Sequence, residues 1–212
     1  MDLFERLDAA RDRCDVLRHP FYRRWSEGRL ERSELAFYAG EYRHAVVALA
    51  EQAAACARAA EPERRAEIVG HAAEESAHIA LWDDFARTVG ADTDRPPRPE
   101  TVGCAEAWTH GEDLLERLVV LYAVESAQPA ISQTKLDGLV AHYGIARGAE
   151  AAAYFTLHAE RDHDHAAHSR RLIAERFEEA DADRLVGVAE AALEGNWMLL
   201  DGVERGGPTA VG

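Results

Sequence analysis

The sequence predicts an all-α fold, a single-domain bundle of about seven helices. Three observations carry that expectation. Apolar residues recur at three- and four-residue steps along most of the chain, the period of a helix with one buried face. No stretch shows the strict alternation of a half-buried strand, and there is no internal repeat or low-complexity tract. The size and make-up, 212 residues with 47% hydrophobic and 30% charged, suit one soluble domain with a substantial core.

Taken in order, residues 2–17 place Leu3, Leu7, Ala10, Cys14 and Leu17 on one helical face. A short helical turn follows His19-Pro20 as far as Trp25, and Gly28 breaks it. Ser33 has the chemistry of an N-cap for a long helix through about Ala59. Pro62 suits the first turn of the next helix, which runs to Val89 and stops at Gly90. The segment 90–103, GADTDRPPRPETVG, is the one conspicuous loop, stiffened by three prolines. Helical patterning resumes from Cys104 to Tyr143, with a break near Gly111 and a kink at Pro129. The next helix covers about 149–178, and Ala182 to Val203 forms the last. The bundle is therefore assigned to 1–205, leaving 206–212 as a flexible tail.

The formal charge of -15 is spread along the chain and disfavours nucleic acid or anionic membranes as partners. No apolar run approaches the roughly 20 residues of a membrane span. The opening MDLFERLDAARDRCDVLRHP mixes both charges and reads as neither signal nor transit peptide. Cys14, Cys56 and Cys104 are scattered, odd in number and outside any metal-ligand spacing, so free thiols and a cytoplasmic location are expected.

The richest chemistry lies in AYFTLHAERDHDHAAHSRRLIAERF. His158, Asp162 and His165 form a His-x3-Asp-x2-His pattern. At about 100° per residue, Asp162 lies roughly 40° from His158 and His165 roughly 20° on its other side. Two imidazoles and a carboxylate on one rigid face suit iron or manganese. His163 and Asp164 rotate about 100° or more from that face and read as solvent-facing, while His168 is ambiguous by angle. The alternative for the cluster is an exposed array of salt bridges.

Three ligands on one helix rarely complete a site. The preceding HAAEESAHIALW offers Glu75 and His78, three residues apart on one face. Glu74 and His71 can share a face with His78 as well, and Glu75 is preferred to Glu74. Glu125 sits in the apolar run LERLVVLYAVESAQPA, where a carboxylate is costly to bury unless paired, protonated or metal-bound. Its alternative is an ordinary buried carboxylate bonded to Tyr122 or Gln128. Together, Glu75, His78, Glu125, His158, Asp162 and His165 could hold two metal ions, in an architecture parallel to ferritin-like carboxylate bundles.

Several motifs in order, HPFYRRWSEGRL, HIALWDDFARTVG, LYAVESAQPAISQTKLDGLVAHYG and the cluster helix, resemble the heme-oxygenase-like di-iron oxidases and oxygenases. The nearest-looking branch is that of the chlamydial protein associating with death domains. The resemblance implies a heme-oxygenase-like seven-helix fold in which two iron ions, or manganese and iron, replace heme, with O2 as co-substrate and an external reductant. It carries the six ligands over to Glu75, His78, Glu125, His158, Asp162 and His165. Some members space the first Glu and His two turns apart, whereas Glu75 and His78 lie within one. The same branch is associated with making para-aminobenzoate from its own side chains. By that resemblance Tyr22 would supply the ring and Lys135 the amino group, while Tyr154 matches a tyrosine near the metals.

Other readings of the chain are an oxidase of a free amino acid or other small molecule, a metal-free thiaminase-like or cofactorless enzyme, and a non-enzymatic metal- or partner-binding bundle. A thiaminase needs a cysteine nucleophile in its pocket. Cys104 reads as lying in or beside a loop, and Cys14 and Cys56 on outer-looking helices. A homodimer is compatible with the fold.

Overall fold

Helical periodicity becomes helix across the computed structural model, which describes residues 1–207. Nine α-helices stand among the described residues: α1 Leu3–Arg13, α2 Pro20–Ser26, α3 Arg32–Ala59, α4 Pro62–Val89, α5 Pro99–Thr109, α6 Leu114–Glu125, α7 Gln128–His142, α8 Ala153–Ala174 and α9 Ala182–Gly206. The count exceeds the expected seven for two reasons. α2 is a separate two-turn helix, and α6 and α7 are a single bent rod interrupted only at Ser126 and Ala127. Pro129 explains that interruption. It has no N–H to give to the carbonyl four residues back, that of Glu125, so the helical ladder opens where α6 ends.

Several boundaries differ from expectation. α1 stops at Arg13 rather than 17, because Asp15 accepts from the Leu17 N–H at 3.0 Å and turns the chain. α3 begins at Arg32 with Glu31, not Ser33, at its N-cap; the Glu34 carboxylate accepts from the Glu31 N–H at 2.8 Å. The proline-rich loop ends at Arg98, since Pro99 opens α5, and Cys104 consequently lies inside a helix. The buried Glu41 of α3 pins this loop through Arg95 at 2.5 Å, the Arg98 N–H at 3.1 Å and the Thr101 hydroxyl. The cluster helix α8 is shorter than 149–178, preceded by a 3-10 turn over Glu150–Ala152 and followed by another over Glu179–Asp181. Gly206 ends α9 instead of starting a tail, and residues 208–212 of the expected tail lie outside the described residues.

α3 and α4 pack as an antiparallel pair, α5 lies on α9, and α8 is flanked by α6 and α7. α4 and α8 face each other with fewer close backbone approaches, and imidazole and carboxylate side chains fill the space between them. One aromatic core lies beside this layer, built from Phe21, Tyr22, Trp25, Tyr38, Tyr42, Trp82, Phe85 and Phe155. Three indole N–H groups are satisfied on backbone carbonyls: Trp25 on Lys135, Trp82 on Ala39 and Trp108 on Ala192. Gly138 lets α2 approach α7, because a Cβ there would stand 2.6 Å from Trp25 Cδ1. No helix among the described residues is long and apolar enough to cross a membrane.

Candidate metal centre

α4 turns His71, Glu75 and His78 inward, at steps of four and three residues. α8 turns Tyr154, His158 and Asp162 inward on the same principle, with His165 only 11% exposed at the edge. α6 delivers Glu125 from its last position, where the helix opens. The predicted ligands thus converge from three helices. His158 and Asp162 are each 1% exposed, which removes the alternative of a surface salt-bridge array. His163 and Asp164 point to solvent, as their helical phase requires.

Glu75 is the hub. Its Oε1 lies 3.2 Å from His78 Nδ1, 3.5 Å from His165 Nδ1 and 3.8 Å from His71 Nε2. Glu74 is half-exposed and instead accepts from His165 Nε2 at 3.1 Å, outside the cluster. Two groups of donors emerge, each with atoms within 4.8 Å of one another: His71, Glu75, Glu125 and His165, and Glu75, His78 and His158. Glu75 belongs to both. Asp162 falls outside these two groups but stands 3.5 Å from His165 Nδ1.

His71 is the residue that the sequence reading set aside. Its Nε2 is 2.8 Å from Glu125 Oε1, and its ring centroid is 4.4 Å from that of His165. The available signal was the seven-residue step from His71 to His78, two helical turns, which puts both on the face that carries Glu75. The proposed alternative partners of Glu125 are engaged elsewhere: Tyr122 bonds Asp8, and Gln128 donates to the Tyr42 hydroxyl.

The donor atoms pass a test for metal binding that does not depend on family. Buried polar atoms ordinarily find hydrogen bonds. Here His158 Nε2 and Asp162 Oδ2 are buried without one, while His71 Nε2, His78 Nδ1, His165 Nδ1, Glu125 Oε1 and Asp162 Oδ1 meet one another or Glu75 at 2.8–3.5 Å without hydrogen-bond geometry. They are the atoms that face the centre. The opposite edges of two rings are fixed: His158 Nδ1–H donates to the Tyr154 carbonyl at 2.7 Å, and His165 Nε2–H to Glu74. Such outer bonds set the tautomer that presents a lone pair inward. Among the described residues, the only cationic partners of these three buried carboxylates are histidines, while Ser169 also donates to Glu125 at 3.4 Å, and such a donor set suits divalent cations.

The titration behaviour follows from the same crowding. Burial pushes Asp162 up and His158 down. For His71, burial acts to lower the pKa but Glu125 and Glu75 outweigh it, and the ring is held above its ordinary value. For His165, burial is likewise outweighed, by Asp162 and Glu125, and its pKa rises to about 9. Burial would raise Glu75, yet the surrounding histidines, His78 at 3.2 Å first, hold it down.

The three other predicted residues line the aromatic core beside the centre. Tyr154 stacks on His158 with centroids 3.9 Å apart. Tyr22 is 1% exposed, and its hydroxyl lies 2.8 Å from that of Tyr38. Lys135, also 1% exposed, is the only lysine in a chain with 23 arginines. Its Nζ sits 4.4 Å from the Tyr42 ring centroid and 4.9 Å from that of Tyr22. Burial holds the amine well below the ordinary lysine range and the phenols of Tyr22, Tyr38 and Tyr154 well above theirs. Cys56 and Cys104 are fully buried, and burial pushes the Cys56 thiol up to about 12 and that of Cys104 further. Burial thus disfavours the thiolate form of both.

Comparison with known proteins places these features in context. A family model described as an iron-containing redox enzyme matches residues 36–200. The chain is 29% identical over 213 residues to the 4-aminobenzoate synthase of Chlamydia muridarum, covering 95% of this chain and 89% of that one. Among solved structures, a Shewanella denitrificans protein with a heme oxygenase-like fold superposes with a TM-score of 0.80 at 20% identity, over 97% of this chain and 93% of that one. A TenA homolog from Pseudomonas syringae gives 0.82 at 15% identity, over 96% and 91%. These structures share the fold. The match over residues 36–200 spans α3 to α9 and contains every convergent donor of the centre, so the chain belongs to the heme-oxygenase-like family of iron-containing redox enzymes.

Proposed function

We propose that this redox enzyme forms 4-aminobenzoate from its own side chains, with Tyr22 supplying the ring and Lys135 the amino nitrogen. A dinuclear iron or manganese–iron centre on Glu75, His78, Glu125, His158, Asp162 and His165 would drive it with O2 and an external reductant. One observation carries the reading: the only lysine of the chain is buried without a carboxylate partner among the described residues, its amine 4.9 Å from the Tyr22 ring. A lone lysine placed there costs stability and has no structural need of its charge. Similarity to the chlamydial 4-aminobenzoate synthase supports the same assignment.

When bound, a pair of redox-active metals supplies oxidising power that side chains lack. The chain's own residues do the remainder. Burial disfavours the charged form of Lys135, which favours an amine whose lone pair is available as a nucleophile. Tyr38 orients Tyr22 through a bond between their hydroxyls at 2.8 Å. The surrounding rings of Tyr38, Tyr42, Trp82 and Phe155 exclude water from the amine. Tyr154 and its carbonyl hold the His158 imidazole in place. Tyr42 stands nearer Lys135 than Tyr22 does, so the two phenols must be tested side by side.

The test is isotopic. Protein grown on nitrogen-15 lysine, loaded with metal under anaerobic conditions and exposed to O2, should release 4-aminobenzoate carrying one heavy nitrogen, at most one molecule per chain. Tyr22→Phe should release none, and Tyr42→Phe should retain product. Unlabelled product, or many turnovers per chain, would contradict the proposal.

A second reading is favoured by a cavity of about 360 Å³ lined by Val16, Trp108, Ala123, Ile131, Leu193 and Asn196 beside the α6–α7 joint. Its size suits a free small-molecule substrate. Sustained turnover of an added amino acid by Tyr22→Phe would identify that activity.

A further inference from the structure

The donor cluster has an outer side that the proposed reaction does not use. Between α4 and α8 a polar pocket of about 300 Å³ opens to solvent, lined by Glu67, Gly70, His71, Glu74, Arg161, Asp164, His165 and His168. Two of these, His71 and His165, also belong to the inner group of metal-binding donors, so they form a wall shared by pocket and centre. His71 is nine-tenths buried and its Nε2 has no hydrogen bond. That ring lies between two environments. Inward it meets Glu125 at 2.8 Å and Glu75 at 3.8 Å, and outward its centroid is 6.2 Å from that of His168, whose buried Nε2 is also unpartnered.

We infer that this pocket is the route by which divalent metal ions reach the centre, and that His71 is the ligand that hands them inward. The inference rests on the metal-dependent reading above. Of the three carboxylates in the pocket lining, Glu67 is held by Arg171 and Arg64 and one oxygen of Glu74 by Arg161 and His165, which leaves Asp164, without an ion pair among the described residues, and the other Glu74 oxygen to meet an entering cation. Imidazole lone pairs at successive depths, His168 then His71, let an ion exchange water for nitrogen in steps instead of shedding its shell at once. The second observation is one of space. A Cβ at Gly70 would meet nothing within 4 Å, so a large side chain there can fill the pocket without disturbing the helix.

Gly70→Phe is therefore a plug, and Gly70→Ala its control. Metal-free protein is mixed with Mn(II) alone, and the loss of the free-ion electron paramagnetic resonance signal is followed with time. Final stoichiometry is read by elemental analysis and folding by circular dichroism. Gly70→Phe should take up Mn(II) at least tenfold more slowly than wild type and reach the same final stoichiometry, with Gly70→Ala at the wild-type rate. His71→Gln should also slow uptake, by at least fivefold. Equal rates in Gly70→Phe and wild type, or a wild-type rate in His71→Gln, would overturn the route. A lowered final stoichiometry in folded Gly70→Phe would overturn it too, since the pocket would then be part of the site. A wild-type protein that binds no metal would instead remove the proposed function itself.

Discussion

Replacing Lys135 by methionine should stabilise the metal-free protein, and by an amount that depends on pH. The side chain is 1% exposed, and the ring faces of Tyr42 and Tyr22 are its nearest charge-stabilising neighbours, at 4.4 and 4.9 Å. Such cation–π contacts offer about 0.5–2 kcal/mol, less than the cost of burying an ammonium. Burial therefore disfavours the charged amine in the folded chain, while the unfolded chain keeps it protonated up to a pKa of about 10.4. The unfolded state then binds one more proton, and stability rises with pH at up to about 1.4 kcal/mol per unit in that window. Between pH 7 and 9, wild type should gain stability relative to Lys135→Met, which has no such slope, up to a ceiling of about 2.7 kcal/mol. At two to four degrees per kcal/mol for a chain of this size, the gap in melting temperature should narrow by up to about 5–11 °C. Thermal and urea unfolding of both proteins at the two pH values measures it, and differencing them removes the opposite slope from His165. A variant less stable than wild type at pH 7, or a gap independent of pH, would refute the reasoning that Lys135 is a buried neutral amine.

Three further outcomes follow from the site and its packing. Glu75→Gln should weaken equilibrium metal binding by at least tenfold, and Glu74→Gln by less than threefold, because Glu75 Oε1 meets three imidazoles and Glu74 lies outside; competition with a metal chelator measures both. Metal binding at pH 7.5 should release protons, detectable with a pH dye, because His165 stays protonated up to about 9 and must lose that proton to coordinate. The sign for the metal-free fold is the converse: stability from charged His165 is full below about 6.5 and lost as pH rises through about 9. Gly138→Ala should destabilise by about 1–3 kcal/mol in urea unfolding, since its Cβ would press on Trp25, whose indole donates to the Lys135 carbonyl.

The fold was legible wherever the chain punctuates itself. Pro62, Gly90 and Gly111 sit where helices start or end, and the phase of His158, Asp162 and His165 separated them correctly from His163 and Asp164. Boundaries set by a remote partner were not legible. Nothing near Pro99 announces that Glu41, some 57 residues earlier, would capture the Arg98 N–H and tether the loop to α3. The site shows the same division. Glu75 and His78 could be read from spacing, but His71 needed knowledge of where α6 ends, because Glu125 is what fixes its role. Cys104 was misplaced in a loop for a related reason: three prolines read as a long irregular segment, although the last of them starts a helix.

The proposed function turns on a two-metal centre that Glu75, common to both donor groups, would help to hold. Anaerobic titration of metal-free protein with Fe(II), with bound metal determined after removal of free ions, tests it most directly. The account predicts two ions per chain in wild type and a loss of both in Glu75→Gln; one ion or none in a folded wild-type protein would contradict it.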